Sequence, residues 1–358
     1  MSKNFNKGAM FYPNMNLLRY LLSFGILINH FNVLGGHDVP YFIPHDRIGG
    51  FFILSGFLMY HSYAKLSDLK SFVTHRARRI LPTYIFIVLL CALGGCLITT
   101  LPVWTYFADA GFWKYLLANL TFLNWLCPDL PGVFAGPEFI LPSVNGSLWT
   151  MKVECLLDLS VPLFVLILAK TGWRREYLAV AIIIFSMVSR LCFSYLYETT
   201  GNNLYSILGR QFLTQMGFFY AGMLVYFLRD FVVRYKTDVI GIGLVLYVVG
   251  PFIPYGEIFI APIAVSMLFL GVSMIGRTIT AFIHVNCISY NIFLVHYPII
   301  QLFVWLGLNE YPIWVSLGGI MLTTVVLALL TNQFIDRPFS KRRGNRESGL
   351  EMERYKVN

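Results

Sequence analysis

The apolar run Leu17–Val33 (LLRYLLSFGILINHFNV) carries one arginine, Arg19, and one histidine, His30, and nothing else in it is charged. Their separation of eleven residues corresponds to about three helical turns and roughly 16 Å of axial rise, so both fall on one helix face. Ionisable groups inside an apolar span are costly and normally face a protein interior or a wet cavity on a substrate path. The plainer alternative is that Arg19 snorkels to the headgroups and His30 caps a polar cluster. A histidine in such a place has reactive potential, because it titrates close enough to neutrality to take a proton from a hydroxyl and return it to a leaving group.

Four further stretches carry chemistry. In HRARRILPTY, Arg76, Arg78 and Arg79 precede Pro82; three guanidiniums at a helix start could grip a polyanion or serve only as topogenic charge. In VNGSLWTMKVECLLDL, Glu154 and Asp158 share a helix face at i,i+4 spacing. They could hold or orient a histidine, or pair with Lys152 and Arg190. In NCISYNIFLVHYPII, His296 stands in an apolar helix near Tyr290 and Tyr297, either as a satisfied core residue or as part of a site. Ser55 lies in RIGGFFILSGFLMYHSY without a neighbouring base, and the glycines around it favour close helix packing.

The elements that must position these groups follow from composition. The chain of 358 residues is 57% hydrophobic and 13% charged, with mean hydropathy +0.66, far from the roughly 25% charge of soluble domains. Apolar runs of membrane-spanning length, punctuated by Pro, Gly and Arg, predict helices rather than alternating barrel strands. Spans are expected at about 16–34, 48–64, 83–100, 148–169, 177–196, 212–228, 239–252, 258–275, 283–306 and 313–334. With the N-terminus inside, Arg47, Lys114 and Arg210 fall outside, Arg19, Lys152 and Arg190 fall within spans, and all other Lys and Arg fall inside. The positive-inside rule therefore places both termini in the cytoplasm. Topogenic charge beside anionic lipid explains most of the net +9, and no nucleic-acid partner is implied.

The outer loop 101–147 is expected to begin with an amphipathic helix in the interface, anchored by Trp104, Trp113 and Trp125; aromatics there would also suit carbohydrate stacking. No cleavable signal is read at the N-terminus. The six cysteines form no CxxC pair, so no metal site is expected. Residues 1–336 read as one transmembrane domain and 337–358 as a basic cytoplasmic tail.

The motifs, taken in order, resemble the acyltransferase 3 family of bacterial integral membrane proteins, polysaccharide O-acetyltransferases among them. Arg19 and His30 match its Arg-x10-His signature, and Phe51, Phe52, Ser55, Gly56 and Phe57 its FFxxSGF. Arg76, Arg79, Ile80, Pro82 and Tyr84 match RxxRIxPxY; Asn145, Gly146, Ser147, Leu148, Trp149 and Glu154 match NGSLWxLxVE. Tyr290, Leu294, His296 and Pro298 match YxxYLxHxP, with Phe293 where Tyr is common. Met151 and Asp158 are further departures, the latter standing where the family often has an aromatic.

The resemblance implies an all-α, multi-pass enzyme of the bacterial cytoplasmic (inner) membrane, of the stand-alone type. It would move an acyl group, most often acetyl, from cytoplasmic acyl-CoA to a hydroxyl of a cell-surface or lipid-linked polysaccharide. Acetyl-CoA is then a donor substrate and no cofactor is permanently bound; membrane lipids are the remaining partner. His30 is the expected base, with Glu154 fixing its tautomer. Arg19, Arg76 and Arg79 would bind the CoA phosphates, and Ser55, Trp149, Asp158, Tyr290 and His296 would line the pocket. Rivals are a transporter, for which no internal repeat is found, a non-catalytic channel or lipid-binding scaffold, and the same enzyme with another acyl group such as succinyl, or another acceptor.

Overall fold

The structure is a computed structural model that describes residues 14–40, 47–66, 68–273 and 287–339. Helix is the regular structure throughout the described residues. Lys3, Lys7, Arg277, the first residues of the expected span 283–306 and the tail from residue 340 lie outside them.

Three long helices open the chain: α1 (Met15–Gly35), α2 (Arg47–Leu66) and α3 (Leu69–Gly94). The segment 101–147 holds α4 (Val103–Ala108) and α5 (Ala110–Leu120). Then come α6 (Trp149–Thr171), α7 (Arg175–Thr200), α8 (Asn203–Leu208), α9 (Phe212–Phe227), α10 (Arg229–Arg234), α11 (Lys236–Val249), α12 (Gly256–Phe259) and α13 (Ala261–Ser273). The last two are α14 (Ser289–Trp305) and α15 (Ile313–Thr331), the latter running into a π-helical turn over Asn332–Asp336. Four of these stretches are long and apolar enough to cross a membrane: Met15–Gly35, Leu69–Leu97, Arg175–Thr200 and Ile313–Phe339.

The basic element does not stand at a helix start. Asp68 caps α3 through the N–H groups of Lys70 and Ser71, so Arg76, Arg78, Arg79 and Pro82 all lie inside that helix. The proline removes a single ladder donor, a loss that neighbouring groups in helical membrane proteins can make good. The apolar stretch after Tyr255 is likewise two helices, α12 and α13, with Pro262 at the start of the second.

The chain divides into two compact units, each described by itself. One comprises the chain to Leu21, Gly49–Phe57 and Arg174–Cys287. There α2 and α9 approach backbone to backbone: a Cβ on Gly56 would strike the Phe219 carbonyl, and one on Gly222 the Ile53 carbonyl. Gly49 leaves room for the Phe218 ring in the same way. Ser55 is buried within this packing.

The other unit comprises Leu22–Ile48, Leu58–Trp173 and the chain from Ile288 onward. Its polar groups form three clusters: one joins α1, α14 and the loop 141–148, one joins α3 and α6, and one joins α3, α14 and the end of α15. In the segment 101–147 Trp104, Trp113 and Trp125 are 88%, 60% and 44% exposed, as side chains meant for a surrounding apolar phase would be. Tyr84 ties α3 to that segment by donating to Asn119 O at 2.6 Å.

Candidate active site

Pro298 lies inside α14 and has no N–H to offer the Leu294 carbonyl one turn back. Asn145 fills that gap. Its Nδ2 donates to Leu294 O at 2.8 Å, while its Oδ1 accepts from the Ser147 hydroxyl at 2.6 Å. One turn further along α14, Gln301 Nε2 donates to the carbonyls of Leu141 (2.7 Å) and Ser143 (2.9 Å). The NGSLW motif and the segment before it are thus laid along α14 by hydrogen bonds to backbone on both sides.

The same loop fixes an aromatic ring. Ser143 Oγ and Tyr297 Oη pair at 2.5 Å, and Gly146 lies flat against the Tyr297 ring, where a Cβ would come within 2.8 Å. Held in this way, Tyr297 sets its edge against the His30 ring, with centroids 5.1 Å apart and planes at 71°.

His30 reaches from α1 to α14: its Nδ1 lies 2.7 Å from His296 Nε2. The other nitrogen of His296, Nδ1, lies 3.1 Å from Ile292 O. The ring planes differ by 18° and the centroids are 5.0 Å apart. That separation equals the nitrogen–nitrogen distance plus a ring radius at each end, so the two rings meet edge to edge along a shared in-plane hydrogen bond, the favourable direction for N–H···N. His296 is wholly buried and His30 half-buried.

A second cluster joins α3 and α6. Arg76 Nε donates to Asp158 Oδ2 at 2.5 Å and its NH2 group to Glu154 Oε1 at 3.1 Å, and the same NH2 group also pairs with Asp158. Arg76 and Asp158 are 8% and 2% exposed, so each charge depends on the other for solvation. A third polar chain runs from Thr83 through Asp336 to Asn291, whose Nδ2 reaches Asp336 Oδ2 (2.8 Å) and Thr331 Oγ1 (3.1 Å). Beside it Tyr290 donates to Ile80 O at 2.9 Å.

The structure therefore brings His30 to His296, and Arg76 to Glu154 and Asp158. Arg79 is exposed on α3, and Trp149 is half-buried at the start of α6. Arg19 and Ser55 belong to the other unit. Lys152 stands over the Trp125 ring at 5.4 Å and Arg190 over Phe218 at 5.6 Å, while Arg76 takes both carboxylates. Lys152, in the first turn of α6, can turn its long side chain to an aromatic face, whereas the buried Arg76 is held where Glu154 and Asp158 are. Sequence reading passed over Ser143, Gln301, Asn291, Thr83 and Asp336. A usable signal existed for the docking of Asn145, since Pro298 leaves the Leu294 carbonyl in need of a donor.

The fold and this cluster define a helical protein of membrane type that carries a buried polar site with a histidine pair. The chain belongs to the acyltransferase 3 family, whose Acyltransferase domain model matches residues 12–332. It is 27% identical over 146 residues to an O-acetyl transferase of Shigella phage Sf6, covering 38% of this chain and 41% of the relative. It is also 29% identical over 177 residues to a Regulator of hypoxia-inducible factor 1 of Caenorhabditis elegans, covering 46% of this chain and 32% of the relative. The chain thus spans less than half the length of either curated relative. No solved structure matches at a significant level.

Proposed function

We propose that this protein is a membrane O-acyltransferase that moves an acyl group, acetyl by preference, from cytoplasmic acyl-CoA to a hydroxyl of a cell-surface or lipid-linked polysaccharide. The observation that carries the reading is the His30–His296 hydrogen bond, in a family whose model is named for acyl transfer. A hydroxyl becomes a competent nucleophile only when a base removes its proton as it attacks. In the proposed step His30 takes that proton, the acceptor oxygen bonds to the thioester carbonyl carbon, the C–S bond breaks, and the thiolate takes the proton from His30 to leave as free CoA.

Arg79 is the proposed ligand of the CoA phosphates on the exposed face of α3. Arg76 is already compensated by Asp158 and Glu154, so its proposed part in donor binding is to fix α6 against α3, with Glu154 belonging to that cluster. Arg19 is a further proposed donor-side cation on the strength of its charge and sequence position. Trp149, Tyr290 and Asp158 stay as proposed pocket residues, and Ser55 is proposed for the function on the strength of its motif alone. The proposed setting is the bacterial cytoplasmic membrane, crossed about ten times by residues 1–336, with both termini and the basic tail 337–358 inside and 101–147 outside. The phage O-acetyl transferase supports acetyl as the group moved.

The test uses purified protein in nanodiscs with labelled acetyl-CoA and isolated envelope glycans. CoA release with label on the glycan supports the reading; no donor binding and no label moved, with lipid-linked precursors also supplied, overturns it.

A further inference from the structure

We propose that His296 is the positioning residue for His30: it fixes the tautomer that leaves His30 Nε2 as the basic nitrogen and shares the positive charge once that nitrogen is protonated. The inference rests on the acyl-transfer reading, but the tautomer itself follows from hydrogen-bond logic alone.

A carbonyl oxygen only accepts. The 3.1 Å contact between His296 Nδ1 and Ile292 O therefore puts the proton of the neutral His296 ring on Nδ1. Its Nε2 is then a lone pair, and the 2.7 Å contact with His30 Nδ1 needs a proton from His30. A neutral imidazole carries a single N–H, so His30 holds it on Nδ1 and keeps the lone pair on Nε2. The chain of donors runs one way, from His30 through His296 to the backbone of α14, and it is anchored by an oxygen that has no proton to reverse it.

Three features make His296 suited to this work. It is wholly buried on the rigid helix α14, so the backbone carbonyl stays its fixed partner. The contact lies in the plane of both rings, which locks the rotation of His30 as well as its tautomer. When His30 Nε2 takes the hydroxyl proton, the Nδ1–H toward His296 becomes a donor on a cation, and charge-assisted hydrogen bonds are about twice as strong as neutral ones. The device stabilises the base more after proton transfer than before. The device needs neither a metal nor a carboxylate.

The experiment compares wild type with His296→Gln and His296→Phe. Gln carries an amide oxygen close to the position of Nε2 and can accept from His30 Nδ1–H; Phe keeps the ring and offers no acceptor. The expected result is kcat within roughly tenfold of wild type for His296→Gln and lower by about 100-fold for His296→Phe, with KM for acetyl-CoA unchanged in both. Nitrogen-15 NMR of the histidine-labelled wild-type protein should find His30 protonated on Nδ1, whether or not a turnover assay is available. Full activity of a folded His296→Phe, or a wild-type His30 protonated on Nε2, overturns the proposal. A wild type that transfers no acyl group fails the functional reading instead, and the NMR result then decides the tautomer by itself.

Discussion

At the scale of single residues, the site depends on small groups that keep larger ones in place. Gly146 matters because the Tyr297 ring occupies the space its side chain would take. Gly146→Ala should push that ring, and with it the edge that rests on His30, lowering kcat by roughly 10–100-fold while expression and donor affinity stay near wild type. A turnover assay at saturating acetyl-CoA checks this. Both His30 and His296 were legible as candidates, since an imidazole in an apolar helix stands out. Their pairing was not, because 266 positions separate them and a histidine's sequence neighbours carry no trace of its partner. The carboxylates were legible as a pair at helical spacing, whereas their cation, Arg76, sits on another helix.

At the scale of elements, ion pairing and proline do the joining. The Arg76 cluster pins α3 to α6 within one unit. Asp158→Ala leaves the buried Arg76 with Glu154 as its remaining carboxylate, so the change should destabilise the protein by about 3 kcal/mol, read as a lowered melting point of the detergent-solubilised protein. Arg76→Leu combined with Asp158→Leu should cost less than the sum of the two single changes, because neither member of the fully buried pair is left without the other and only the half-buried Glu154 loses this cation. The charged run and Pro82 mark a helix boundary in sequence, but the Asp68 cap fourteen residues before the proline sets the start of α3. Pro298 acts in the opposite sense to a breaker. It stays within α14 and opens a single carbonyl, to which Asn145 docks the loop 141–148. Asp336 escaped notice because the π-helical turn at the end of α15 turns it toward Thr83 and Asn291, and nothing in the local pattern announces such a turn.

At the scale of the whole molecule, hydropathy made the all-helical class legible, and five motifs in order made the family legible. The proposed topology puts the loop 101–147 on the outer side, and Cys127 in that loop reports on it. Burial first, and the Asp129 carboxylate second, push the Cys127 thiol above its ordinary value. The thiolate is the reactive form, so a membrane-impermeant maleimide should label Cys127 slowly at neutral pH and faster as pH rises through the raised value. In a variant whose other cysteines are replaced, labelling of intact cells checks the orientation; labelling restricted to inverted vesicles would reverse it.

The central claim, that His30 drives acyl transfer from an inside donor to an outside glycan, is tested most directly by sided transfer. The protein is reconstituted in vesicles of known orientation with labelled acetyl-CoA supplied on the cytoplasmic face alone and glycan acceptor on the other. The account predicts label on the glycan with wild type and a loss on the order of 100-fold or more with His30→Ala in protein that remains folded and inserted. Equal transfer by folded His30→Ala would contradict it.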